Sequence, residues 1–299
     1  MIVYNTKEWL SFIFSLHKSD TIRKLWKTLI VVALFSFLIA YLEIDYLDLG
    51  KNSSLKNISI IHSLIGFVLS LLLVFRTNTA YDRWWEGRKL WGKLVNDSRN
   101  LALKLNAFLP KDDVENRAFF AKNISLFGQV LNTHLTKKST RFALDQKEHP
   151  EIADILSKNH PPSAAVGVIL TKINELYKEE KLTRDQFRYM DDDIAGFMDV
   201  CGGCERIKNT PIPYSYIVFL KKFIALFVFS LPIGYVFTLG YWVVPLTAFI
   251  FYVLVSIELI AEEIEDPFNN DPNDIPTQKL ADNIEKNVNY ILLDKHAEF

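Results

Sequence analysis

Cys201 and Cys204 stand at the spacing of a redox CxxC pair, with Gly202 and Gly203 between them. Thiol exchange at that spacing belongs in a βαβ unit, and few stretches of this chain alternate as strands do. A zinc ion would need two more ligands, and no histidine stands nearby at useful spacing. The two glycines favour a plainer reading, a tight contact between helices. A second set of reactive groups runs from Glu262 to Asp274, EEIEDPFNNDPND. It gathers Glu265, Asp266, Asp271 and Asp274 with the amides of Asn269 and Asn270 on a proline-broken loop. Such oxygen donors suit calcium, although the spacing is not that of an EF-hand. An acidic cap is the favoured reading. Asp191, Asp192 and Asp193 read as a solvated helix face. Glu258, at the inner end of a long apolar run, is either functional or paired with a basic residue on a neighbouring helix.

The elements that must carry these groups are mostly apolar helices. The chain has 299 residues, 49% of them hydrophobic, with 22 phenylalanines and a net charge of −1. The apolar residues cluster in two regions, which marks a membrane protein with a polar part of its own. A near-neutral chain is a poor match for nucleic acid. Two cysteines make no disulfide framework. The beginning, MIVYNTKEWLSFIF, reads as an interfacial helix over residues 1–27 and not as a cleaved signal.

Thr28–Leu42 is uncharged but shorter than the roughly 20 residues a span needs, so Lys27 must snorkel or the span must run past Glu43. A polar loop with Glu43, Asp45 and Asp48 follows. Ile58–Phe75 is the second span. Basic residues crowd the start of the first span and the exit of the second (Arg76, Arg83, Arg88, Lys89, Lys93), which places both ends in the cytoplasm and the Glu43–Asn57 loop outside. Phe223–Ile257 carries no charge and is too long for one span. Pro232, Gly234, Gly240 and Pro245 split it into a hairpin, giving four spans with both termini cytoplasmic.

The segments are thus 1–77 with the interfacial helix and two spans, 78–210 as a cytosolic helical region, 211–262 with two spans, and 263–299 as a cytosolic end. The fold class is all-α. Within the second span, SLIGFVLSLLLVFRTNTAYDRWWEGRKLWG continues past Arg76 with no helix breaker. Phe67, Leu71 and Phe75 recur every four residues and so share one stripe, which lipid, another helix or a pore would each explain.

Three stretches resemble the bacterial bestrophin family: GFVLSLLLVFRTNTAYDRWWEGRKLWG, CGGCERIKNTPIPYSY at 201–216, and AEEIEDPF with NDIP at 261–276. The resemblance implies a homopentamer in a lipid bilayer around one ion pore, in a bacterial inner membrane, and no enzyme. It implies that Phe67, Leu71 and Phe75 form the three rings of a hydrophobic neck, which gates by dewetting. Counting back from ERIKNTPIP, a second constriction falls on Asp185, where the family usually has an aliphatic residue such as isoleucine. A carboxylate ring there attracts cations. With the weakly acidic outer vestibule of Glu43, Asp45 and Asp48, it points to monovalent cations such as sodium, with chloride conduction as the alternative. Animal bestrophins carry a calcium clasp after the last span. This chain keeps Glu265-Asp266-Pro267-Phe268 without the long acidic run, so no cofactor beyond the permeant ions is expected.

Overall fold

The computed structural model describes residues 21–47, 58–136, 158–269 and 271–294, and no strand occurs among them. Its helices are α1 (Thr21–Tyr41, followed by a π-turn Leu42–Tyr46), α2 (Ile58–Phe108), α3 (Val114–Leu135), α4 (Pro161–Lys178), α5 (Arg184–Asn209), α6 (Tyr214–Leu239), α7 (Val243–Glu265) and α8 (Thr277–Leu293). The all-helical class expected from the sequence is what the described residues show. They fall into two compact units. One takes described residues from Ile2–Arg83 and Pro211–Glu265; the other takes Trp84–Thr210 and those from Asp266 onward.

In the first unit, α1, the start of α2, α6 and α7 are apolar nearly all round, as helices in hydrocarbon must be. Three stretches are long and apolar enough to cross a membrane: Thr21–Tyr46, Ile60–Phe108 and Tyr214–Glu265. The last contains α6 and α7 with a 3-10 turn, Gly240–Trp242, between them. Gly240 takes a positive φ of 56°, which a side chain disfavours, and this ends α6. Pro232 lies inside α6 without ending it. The break expected near the middle of Phe223–Ile257 therefore falls at Gly240, not at the earlier proline.

Thr21 Oγ1 meets Ser256 Oγ at 2.7 Å, while Ala40 and Val243 share a buried cluster at the other end. Helices α1 and α7 are thus antiparallel. Leu25, Val32, Leu69, Leu73, Leu220, Ile224, Val228 and Phe251 form the main apolar contact of this unit. The N-terminal reading needs one adjustment. Residues 1–20 lie outside the described set, and Thr21–Lys27 are already part of α1, not of a separate interfacial helix. Asp48 and Asn270 also lie outside it.

The second unit is an amphipathic bundle. Helix α2 ends after Phe108 because Pro110 follows, and Arg117 takes up the carbonyls left over. Its guanidinium donates to Leu109 O at 2.8 Å, Asn106 O at 3.0 Å and Asn106 Oδ1 at 2.6 Å. Asp113 caps α3 by accepting from Asn116 N. Thr183 and Gln186 close a capping box on α5. Helical periodicity in Phe119–Leu135 and Val166–Tyr177 matches α3 and α4. Phe127 and Phe197 stack with centroids 4.8 Å apart in the core. Helix α8 lies against α3, and a Cβ on Gly128 would stand 3.5 Å from Ala281 Cα.

Candidate functional site

The first half of α2 presents two unlike faces. Leu69 and Leu73 point into the apolar cluster, and one turn on, Arg76 is 1% exposed. On the opposite side Phe67, Leu71 and Phe75 are 65%, 45% and 64% exposed, with Leu64 extending the stripe by one turn. The hydroxyls on this segment are turned back on the helix. Ser70, Thr77 and Thr79 donate to the carbonyls of Gly66, Leu73 and Phe75 at 2.8, 2.9 and 2.9 Å. The side chains of Leu64, Phe67, Leu71 and Phe75 carry no polar group of their own.

Arg76 is the polar anchor of this segment. Its Nη2 donates to Glu265 Oε2 at 2.7 Å, and its Nε lies 3.4 Å from Glu258 Oε2. Both carboxylates are buried. Glu265 Oε1 accepts from Ile212 N at 2.8 Å, and its backbone carbonyl accepts from Arg83 Nε at 3.0 Å. Tyr216 donates to Leu72 O at 3.1 Å. One guanidinium thus hydrogen-bonds Glu265 and pairs at longer range with Glu258, both on α7, and Glu265 also fixes the entry to α6. Sequence reasoning left open whether Glu258 acts or pairs; it pairs, with Arg76. The sequence signal was Glu258 itself, an ionisable residue at the inner end of an apolar run.

The remaining sequence candidates are scattered. Glu43 is buried in the π-turn, and Asp45 accepts from Tyr241. Asp185 is exposed in the first turn of α5. Asp266 Oδ2 accepts from Asn269 Nδ2 at 2.7 Å, and Asp274 Oδ2 from Asp271 N at 2.8 Å. Burial pushes the Asp274 carboxyl up to about 7. Phe268 and Ile275, from the last family-like stretch, close on Gly87, where a Cβ would stand 3.1 and 3.0 Å from them.

The acid triplet is not uniformly solvated. Asp191 and Asp192 are exposed, but Asp193 is buried and held by Lys104 Nζ at 2.6 Å, because helical rotation turns it inward. Cys201 and Cys204 are buried, unpaired thiols. Burial pushes Cys201 up to about 12 and Cys204 up as well, which leaves little thiolate for chemistry. Gly203 makes the tight contact expected, since a Cβ there would lie 2.8 Å from Leu90 Cδ1. Gly202 faces open space.

One group was not anticipated. His134 Nε2 and His160 Nε2 both reach Glu205 Oε1, at 2.6 and 2.8 Å. The sequence offered no spacing rule that would have joined them. Among the described residues these three alone gather metal-ligand atoms, all within 4.8 Å of one another; the carboxylates of the acidic loop are not among them.

A family model for bacterial and fungal bestrophin proteins matches residues 1–290. A voltage-dependent anion channel-forming protein of Nostoc sp. is 33% identical over 287 residues, covering 94% of this chain and 91% of that protein. The voltage-dependent anion channel-forming protein YneE of Escherichia coli K12 is 30% identical over 299 residues, 100% of this chain and 95% of that one. Among solved structures, a bacterial bestrophin homolog from Klebsiella pneumoniae superposes with a TM-score of 0.78 at 28% identity, covering 88% of this chain and 97% of that chain. With the matched helical frame and near full-length similarity, the chain belongs to the bacterial and fungal bestrophin family.

Proposed function

We propose that this protein is an ion channel in which α2 from five identical subunits encloses the pore. The observation that carries this reading is the apolar stripe Phe67, Leu71 and Phe75, exposed on a helix that turns Leu69, Leu73 and Arg76 into the protein. Repeated around an axis, the stripe becomes three rings one turn apart, narrow enough to hold back ions by dewetting. The membrane is the bacterial inner membrane, crossed four times, with α6 and α7 as separate spans and both termini in the cytoplasm. The basic run Arg76, Arg83, Arg88, Lys89 and Lys93 supports that orientation. Residues 78–210 and 263–299 lie on the cytosolic side. No enzymatic step and no bound cofactor enter this reading; the pathway holds only permeant ions.

On selectivity, small anions are the first reading, because the relatives from Nostoc and E. coli are named for them and the neck carries no charge of its own. A second reading, monovalent cations such as sodium, rests on Asp185, whose exposed carboxylate stands free to line a cytosolic aperture. Purified protein in a planar bilayer under a sodium chloride gradient separates them. A reversal potential on the chloride side supports the first reading, and one on the sodium side that moves in Asp185→Asn supports the second. Leu71→Ser should raise conductance by wetting the neck. No conduction in the wild type or in Leu71→Ser would overturn the channel.

A further inference from the structure

We propose that His134, His160 and Glu205 form a binding site for a divalent transition-metal ion of the zinc type. The site would lock the end of α3 and the start of α4 onto α5. His134 lies in the last turn of α3, His160 is the N-cap residue of α4, and Glu205 is on α5. Two imidazole nitrogens and a carboxylate oxygen converge from three different elements. That is the ligand set zinc, cobalt and nickel accept, and a poor one for calcium or magnesium, which take oxygen alone.

The geometry needs only a small opening. Zinc holds nitrogen and oxygen at roughly 2.0–2.2 Å, so tetrahedral ligands stand about 3.3 Å apart. The two Nε2–Oε1 distances, 2.6 and 2.8 Å, would lengthen by about 0.5–0.7 Å. All three side chains are partly exposed, so they have room to do this and solvent can deliver the ion. The imidazoles meet edge to face at 5.2 Å between centroids, which keeps both Nε2 atoms aimed at one point.

A supporting group is in place as well. His160 Nδ1 lies 2.6 Å from Ser163 Oγ. When Nε2 holds a metal, Nδ1 carries the proton and donates it to that hydroxyl, which fixes the ring. The exchange gives up the longer cap from Ser163 N to Nδ1, now 3.2 Å. Without metal the same nitrogens donate to Glu205, so the hydrogen-bonded triad is the resting form of the site. Three protein ligands leave a fourth position for water.

The test is isothermal titration of chelator-stripped, full-length protein in detergent with zinc chloride, repeated with calcium and magnesium chloride. One zinc per chain is expected, with at least about a tenfold loss of affinity in Glu205→Gln and in the double variant His134→Gln/His160→Gln. Saturating zinc should raise the melting temperature of the wild type by about 4 °C and leave the variants unmoved. As a check that needs no variant, zinc should shield His134 and His160 from diethyl pyrocarbonate, read by mass spectrometry. Equal zinc affinity in wild type and variants, or unshielded histidines at saturating zinc, would overturn the site.

Discussion

Arg76 and Glu265 are 189 residues apart in the chain, yet the guanidinium Nη2 and the carboxylate Oε2 meet at 2.7 Å in a buried contact. Arg76 directly follows Phe75, so the charge that anchors α2 sits on the residue next to the exposed stripe. Replacing Arg76 with alanine would strand Glu258 and Glu265 as buried carboxylates. Such a break costs about 3–5 kcal/mol. The melting temperature of the purified protein should fall by several degrees, and an unchanged melting curve would show that the pair contributes nothing.

Gly202 and Gly203 should respond in opposite ways to alanine. At Gly203 the new Cβ would press on Leu90 Cδ1 at 2.8 Å and Cδ2 at 2.9 Å. Overpacking of this kind costs about 1–3 kcal/mol. At Gly202 nothing lies within 4 Å of the added carbon, and helix propensity favours alanine by about 0.5–1 kcal/mol. Thermal unfolding of the two variants side by side checks this. Equal effects would mean that the α2–α5 contact is not as close as described.

The cysteines should be silent. Both are buried, and burial pushes the Cys201 thiol up to about 12. Folded protein at pH 8 should take up no maleimide over an hour, whereas protein opened in dodecyl sulfate should take up two per chain, one at each of Cys201 and Cys204. Rapid labelling of the folded form would revive a thiol-based activity.

Asp274 should make stability fall as pH rises. Burial lifts its carboxyl from 3.8 to about 7, so the folded state holds the proton more tightly than the unfolded one. Its contribution is fully present below about pH 4 and is lost as pH rises through about 7. Asp274→Asn, which stays neutral and keeps an acceptor for Asp271 N, should flatten the pH dependence of melting between pH 5 and 8 relative to the wild type. Parallel profiles for the two proteins would assign the titration elsewhere.

Much of this molecule could be read from its residues in one dimension. Apolar runs without charge mark helices for a membrane, because every backbone group there must bond within its own helix. The four-residue recurrence of Phe67, Leu71 and Phe75 places them on one stripe, since helix geometry is local. The family-like stretches likewise located Gly87, Phe268 and Ile275, although not their contact. Contacts between distant elements were not legible in this way. Glu258 announced that it needed a role or a basic partner, but Arg76 became that partner only when α7 packed beside α2. Asp193 looked like its exposed neighbours until the rotation of α5 turned it toward Lys104. His134, His160 and Glu205 carry no common spacing at all. Three helix ends had to converge before two imidazoles shared one carboxylate oxygen, and that convergence belongs to the tertiary structure.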